Sequence, residues 1–336
     1  MRTPTLHTPL VEMQEVRKHF PCNGKWFGPK LFVRAVDGVS LMLRRGEIFG
    51  LAGESGCGKS TLGRCILGLI ELTSGKVHFE GQDLGKSSSS ELHQMRRQMQ
   101  VIFQDPFSSL NPRMQVGDIL REPFVVYGET NEVEREITTL VEMVGLPRDS
   151  LGRYPHEFSG GQRQRVAVAR ALALKPQFIV ADEPVAALDV SVQAQILNLL
   201  LDLQQQFGTT YLLTSHNLPV LRQVATRIGV MYLGKLVEVG PAEEVVVNPV
   251  HPYTRNLIKS VPASPGEKTT DRLEDGSGPS SAIPTVDDRS SALPVGGCRF
   301  HPRCPLAVNQ CRVKEPELRE ITSGHFASCH LVEPAH

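Results

Sequence analysis

Gly53-Glu54-Ser55-Gly56-Cys57-Gly58-Lys59-Ser60-Thr61 decides how this chain is read. The stretch fits G-x-x-x-x-G-K-[ST]. It stands between an apolar run, Ile48-Phe49-Gly50-Leu51-Ala52, and a helical pattern running from Lys59 to Leu69. Strand, glycine turn and helix form the setting in which this pattern cradles phosphate. Glycines let backbone N–H groups turn inward around phosphate oxygens, and the helix N-terminus adds a partial positive charge. Lys59 would reach the terminal phosphates of a nucleotide, and the Ser60 hydroxyl would be a ligand for Mg²⁺.

The pattern on either side is that of a largely parallel sheet covered by helices. Ser74-Gly75 reads as a turn, and Val77 and Phe79 alternate with polar neighbours as in a half-buried strand. Ser87–Ser90 reads as a surface turn, and the residues from about Glu91 to Gly152 as a mostly helical insertion. Phe178-Ile179-Val180-Ala181 and Tyr211-Leu212-Leu213-Thr214 are further buried strands. The first delivers Asp182 to its carboxyl end, where it can hold Mg²⁺, and sets Glu183 where an attacking water could be polarised. The second ends at His216, on the same sheet edge. Ser159-Gly160-Gly161-Gln162 opens a helix that continues from Arg163 to Leu174. Its plain reading is an N-cap; its sharper reading is a second anion-binding helix start.

Composition narrows the class. Across 336 residues, 36 Lys and Arg balance 36 Asp and Glu, which argues against a chain that binds nucleic acid or acidic lipid through a basic excess. A 40% hydrophobic, 21% charged composition excludes wholesale disorder. No apolar run approaches the roughly 18 residues needed to span a bilayer. Met1–Leu10 shows no apolar secretory segment, so the protein is expected to stay in the cytosol, where disulfides are improbable. Half of the 24 prolines lie from residue 241 onward. Residues 259–297, rich in Ser, Pro and Gly, read as a linker between a large unit, 1–258, and a small Cys-rich one, 298–336.

The Gly-Lys-Ser loop, Gln104, Ser159-Gly160-Gly161-Gln162, Asp182-Glu183 and His216, in that order, resemble the ATP-binding-cassette (ABC) ATPases over roughly residues 10 to 258. The resemblance implies a RecA-like P-loop NTPase core with an ABC β-subdomain and an inserted helical subdomain at about 91–168. It also implies a head-to-tail dimer with two ATP molecules, each between one copy's Gly53–Thr61 loop and the other's Ser159–Gln162. Lys59 and His216 would then face the γ-phosphate, and Glu183 would be the general base. Mg²⁺ would be held by Ser60, Gln104 and Asp182, with Gln104 also sensing a membrane partner. Asp189 matches the loop that crosses the dimer interface. Phe20 is the aromatic expected to stack on adenine, with Trp26 as its rival because Pro21–Lys30 looks inserted. Ala186 and Asn217 depart from the family's usual Ser and Asp, leaving hydrolysis plausible and its rate open.

Cys298, Cys304, Cys311 and Cys329 crowd the last 39 residues, whereas Cys22, Cys57 and Cys65 are scattered. Their spacing is neither a C-x-x-C zinc pattern nor a bacterial-ferredoxin run. It leaves open an Fe–S cluster, a zinc site using His301, His325 or His330, and free thiols. A segment this short has too small a core to fold unaided, so some staple is expected. Arg299-Phe300-His301-Pro302-Arg303-Cys304-Pro305, Ala327-Ser328-Cys329-His330, Phe103–Pro112 and His251-Pro252-Tyr253-Thr254 resemble the oligopeptide/dipeptide importer branch of the family. That resemblance implies a structural 4Fe–4S cluster on the four cysteines. It also implies a second ATPase subunit, two transmembrane permease subunits, a substrate-binding protein, and a place on the cytoplasmic face of the inner membrane. A soluble cassette ATPase acting on nucleic acid or ribosomes is the alternative; the long coiled coil or second cassette it normally carries is not visible here. Which solute is carried (dipeptide, oligopeptide, nickel, glutathione) is not written in these residues.

Overall fold

A strand buried on both faces must be apolar at every position rather than at alternate ones, and the runs flanking the glycine loop obey that rule. The computed structural model describes residues 9–21, 32–260 and 296–333. It opens with two long antiparallel strands, β1 (Pro9–Pro21) and β2 (Phe32–Arg44). β3 (Ile48–Ala52) then enters the core and leads through the glycine loop into α1 (Lys59–Ile66). β4 (Ser74–Phe79) and β5 (Gln82–Asp83) complete a four-stranded antiparallel sheet in the order β2-β1-β4-β5.

After α2 (Ser89–Gln98) and β6 (Met99–Ile102), the chain runs through four helices before the next strand. These are α3 (Pro106–Ser109), α4 (Val116–Val126), α5 (Val133–Met143) and α6 (Gly160–Leu172). β7 (Phe178–Asp182), α7 (Val190–Phe207), β8 (Thr210–Ser215), α8 (Leu218–Val224) and β9 (Arg227–Tyr232) follow. Next come β10 (Lys235–Pro241), α9 (Ala242–Val247) and α10 (Pro252–Lys259). Beyond residue 296 lie α11 (Asn309–Val313), β11 (Arg319–Thr322) and β12 (His325–Ala327). The eight-stranded central sheet has the order β11-β12-β10-β9-β3-β8-β7-β6. β9, β3, β8, β7 and β6 run parallel.

Alternate residues of the central strands divide two cores. Ile48, Ile179, Ala181, Tyr211 and Leu213 pack with Val166, Leu197 and Leu221 from α6, α7 and α8. Phe49, Leu51, Phe178, Val180 and Leu212 pack instead with Leu62 and Ile66 of α1 and with Val11, Met13 and Val36 of the antiparallel sheet. Sandwiching α1 in this way fixes the glycine loop against the carboxyl ends of β3, β7 and β8. Among the described residues, no helix is long and apolar enough to cross a membrane.

Two expectations change. The stretch from Glu91 is not one helical insertion, because β6 interrupts it and joins the central sheet beside β7. Four residues with a polar Gln100 in their midst carry too weak a pattern to show as a strand. Ser87–Ser90 is not simply a turn: the Ser88 hydroxyl accepts from Glu91 N while the Glu91 carboxylate accepts from Ser88 N, a capping box that starts α2. The Cys-rich segment, whose core reads as too small to fold unaided, is held by the main sheet: β12 pairs with β10 through Ala327↔Glu238 and Phe326↔Val239. Most of the 259–297 linker, Trp26 and Cys22 lie outside the described residues.

The seam with that segment is polar and buried. Glu238 is fully buried; its carboxylate accepts from Val250 N at 2.8 Å and His251 N at 2.9 Å and meets His325 Nε2 at 2.8 Å. His251, also buried, caps α10 by accepting from Tyr253 N through Nδ1 at 3.1 Å. Burial outweighs the nearby Glu238 and pushes the His251 imidazole down to about 4. The folded chain therefore refuses a proton that the unfolded chain takes up below its ordinary value near 6.5. Stability from this group is complete above about pH 6.5 and drains away as pH falls toward 4. In urea titrations, wild type should lose about 2 kcal/mol more between pH 7 and pH 5 than His251→Gln does. Equal losses would contradict a neutral, buried His251.

Candidate functional site

Gly58 has φ +111°, a backbone setting that L side chains rarely adopt, and a Cβ there would collide with the carbonyl oxygen of Ala35 in β2. That close approach seats the loop between β2 and the central sheet. Gly58 also stands at the N-cap of α1 with no side-chain cap, so the first N–H groups of the helix are left for another acceptor. Ser55 and Gly56 form the exposed tip. Cys57 is buried, and burial pushes its thiol up. Thr61 lies half-buried in α1.

Lys59 is buried, and its ammonium donates to Gly53 O at 2.7 Å and Glu54 O at 3.1 Å and pairs with Glu183 Oε1 at 3.2 Å. The other oxygen of Glu183 meets His216 Nδ1 at 3.2 Å. One carboxylate thus lies between a buried ammonium and an exposed imidazole. Glu183 takes up φ +44°, an uncommon setting for a residue with a Cβ, and this turns its side chain back toward the loop as the chain leaves β7. Asp182, one residue earlier, accepts on Oδ1 from Ser60 Oγ at 3.0 Å and from Thr214 Oγ1 at 2.8 Å. Two hard oxygen donors, Ser60 and Asp182, therefore stand together beside the loop, a donor set that suits Mg²⁺.

Strand register explains the convergence. Asp182 pairs with Thr214, and Ala52 with Ser215, so Gly53, Glu183 and His216 all leave the sheet at one edge. Gln104 is exposed two residues past the end of β6, at that same edge. Phe20 is 39% exposed near the end of β1, opposite Val33 of the strand whose Ala35 abuts the loop.

Ser159–Gln162 is not drawn into this cluster within one chain. Ser159 is exposed and caps α6: its hydroxyl accepts from Gln162 N at 3.3 Å, and Gln162 Oε1 accepts from Ser159 N at 3.0 Å. The plain N-cap reading therefore holds. A Cβ on Gly161 would press on Val192, so this tip packs against the start of α7, beside exposed Asp189.

Three residues of the site escaped the sequence reading. Thr214, buried at the end of β8, donates to Asp182 and accepts from Glu183 N at 2.9 Å, locking both acids. Its only signal is a Thr that ends an apolar run. Tyr253 Oη accepts from Glu54 N at 2.9 Å, and Arg303 forks onto the Glu54 carboxylate. Both come from far along the chain, in stretches that carry the family resemblance but show nothing in sequence of a contact with Glu54.

The cysteines carry less than the resemblance implies. Cys298, Cys304, Cys311 and Cys329 are free, and burial pushes the thiols of Cys298, Cys304 and Cys329 up. Neighbouring cysteines push in the same direction: Cys311 and Cys329 on Cys298, Cys311 on Cys304, Cys304 and Cys311 on Cys329. The four are neighbours, but among the described residues no three His, Cys, Asp or Glu side chains converge as a group that could hold a metal. The described residues thus give no support to the 4Fe–4S ligand set implied by the resemblance.

Comparison with known proteins identifies the frame. The family described as "ABC transporter" matches residues 36–186, and "Oligopeptide/dipeptide transporter, C-terminal region" matches residues 237–311. The oligopeptide transport ATP-binding protein AppF of Bacillus subtilis is 46% identical over 326 residues, 96% of this chain and 97% of its own length. The chain belongs to the ABC transporter ATPases. A putative peptide import ATP-binding protein of Brucella ovis is 45% identical over 96% of this chain and 98% of its own. Among solved structures, the dimeric ATP-binding cassette MJ0796 bound to ADP and Pi aligns with a TM-score of 0.60 at 28% identity, covering 69% of this chain and 98% of that one. CbiO1 of Clostridium perfringens shares the fold, with a TM-score of 0.62 at 23% identity over 71% of this chain and 91% of its own.

In this ABC ATPase the lock on the two acids is directly testable. Thr214→Val keeps the shape and removes both hydrogen bonds, so ATP turnover should fall about tenfold. Unchanged steady-state turnover would show that Asp182 and Glu183 are held by something else.

Proposed function

We propose that this chain is the ATP-hydrolysing subunit of a bacterial importer for oligopeptides, dipeptides or related solutes. The observation that carries the reading is the position of the Glu183 carboxylate between Lys59 and His216, beside a phosphate loop whose helix start is uncapped. The two family matches and the names of the relatives support the transport setting over a soluble ATPase acting on nucleic acid or ribosomes.

ATP would lie with its triphosphate along Gly53–Thr61 and its adenine against Phe20. Ser60, Asp182 and Gln104 would hold Mg²⁺, which supplies charge neutralisation at the phosphates. The Lys59 ammonium, now satisfied by the carbonyls of Gly53 and Glu54 and by Glu183, would exchange these for the stronger negative charge of the γ-phosphate. That exchange frees Glu183 to accept a proton from the attacking water, while His216 orients the γ-phosphate. Ser159–Gln162, at the start of α6 with Ser159 exposed, would close on the ATP of a second ATPase subunit, with Asp189 crossing the same interface. Closure would pass through Gln104 and residues 105–112 to one of two permease subunits on the cytoplasmic face of the inner membrane, with a substrate-binding protein delivering the solute. Residues 1–258 would form the nucleotide-binding unit, with its helical part at about 91–168, and 298–336 the Cys-rich extension. The proposal does not extend to a 4Fe–4S cluster.

The base assignment makes a sharp demand. Glu183→Gln should still bind ATP and pair with its partner subunit, while its phosphate release falls about 100-fold or more. Wild-type rates of phosphate release from that variant would remove Glu183 from the role.

A further inference from the structure

We propose that Arg303 is a positioning residue for the nucleotide loop: by covering the Glu54 carboxylate, it lets the loop accept a triphosphate. The inference rests on the reading of Gly53–Thr61 as the ATP site.

A carboxylate in a phosphate cradle is a liability, because its charge repels the ligand the loop is built to hold. Glu54 is the second residue of the cradle, and its side chain remains 45% exposed. Arg303 Nη1 donates to Glu54 Oε2 and Nη2 to Oε1, both at 3.0 Å, in the parallel two-bond geometry that only a guanidinium offers. The pairing spans 249 positions in sequence. The guanidinium also lies 5.8 Å from the ring centre of Tyr232, in a set of rings with Tyr253 and Phe300. Tyr253 Oη in turn holds Glu54 N, and Lys59 holds Glu54 O. Each polar part of Glu54 is therefore gripped, and the Cys-rich segment supplies the grip on its charge.

Four residues earlier, Arg299 anchors the same segment on the opposite wall of the loop. It is buried, pairs with Asp37 of β2 and donates to Leu233 O. Burial raises the Asp37 carboxyl, yet Arg299, ahead of Lys235 and with His19 bonded beside it, brings it below its ordinary value. Leu233 adjoins Gly234, whose N–H donates to Cys57 O of the loop at 2.8 Å. Arg303 is thus carried on a turn fixed at one end by Arg299. At its other end Cys304 N donates to His301 O.

The test is the dissociation constant of ATP, measured on the full chain with Mg²⁺ for wild type, Arg303→Gln, Arg303→Lys and the pair Arg303→Gln with Glu54→Gln. Uncovering Glu54 in Arg303→Gln should weaken binding about 3- to 10-fold at low salt, and by less at high salt as the repulsion is screened. Arg303→Lys, which keeps the charge, should retain most of the affinity. Removing the exposed carboxylate as well, in the double variant, should restore it. A purely structural role for Arg303 would show no rescue by Glu54→Gln and no dependence on salt. Unchanged affinity in Arg303→Gln, or a double variant as weak as the single one, overturns the inference while wild-type ATP binding leaves the ATPase reading intact. Failure of wild type to bind ATP overturns both.

Discussion

One buried ammonium organises the site. Lys59 enters α1 beneath the loop, and its charge is shared among the carbonyls of Gly53 and Glu54 and the carboxylate of Glu183. A charge removed from water must be paired or it costs several kcal/mol, so these three partners hold the loop near the shape a triphosphate needs. They also hold Glu183 close to the place where it would act. The left-handed turn at Glu183 makes sense in this light: local backbone strain is offset by the ion pair and by the Thr214 hydroxyl that binds Glu183 N. Pre-formed electrostatics of this kind leave little to reorganise when the substrate arrives.

The larger architecture serves that ammonium. α1 is sandwiched between two sheets, so the loop at its start cannot drift from the ends of β3, β7 and β8. The Cys-rich segment adds β11 and β12 to the far side of the same sheet and fastens itself through the fully buried Glu238. From there it reaches back to the loop through Arg299 and Arg303. What reads as an appendage in the sequence is, in the folded chain, part of the wall around the nucleotide loop.

Much of this was legible in advance where a local pattern carries the physics. The glycine loop, the buried strands ending in Asp182 and Thr214, and the Ser-Gly-Gly helix start each announce themselves within ten residues. β6 did not, because four residues beside longer helices offer too little periodicity. Ser88-x-x-Glu91 has the spacing of a capping box, although the serine run around it reads as a turn. The contacts of Thr214, Tyr253 and Arg303 are unreadable for a different reason: they arise only when the fold brings distant segments to Asp182 and Glu54. The cysteines show the converse. Their crowding in sequence carries over to the fold, where they are neighbours, but among the described residues they make no group that could hold a metal.

A structure of the assembled ATPase pair, trapped with Mg²⁺ and ATP, tests the two-sided grip most directly. Each triphosphate should lie along Gly53–Thr61 of one copy, with the Lys59 ammonium transferred from Glu183 to the γ-phosphate and with Ser159–Gln162 of the mate within hydrogen-bonding distance of that same phosphate. A triphosphate bound with Lys59 still on Glu183, or with Ser159–Gln162 facing open solvent, would contradict it.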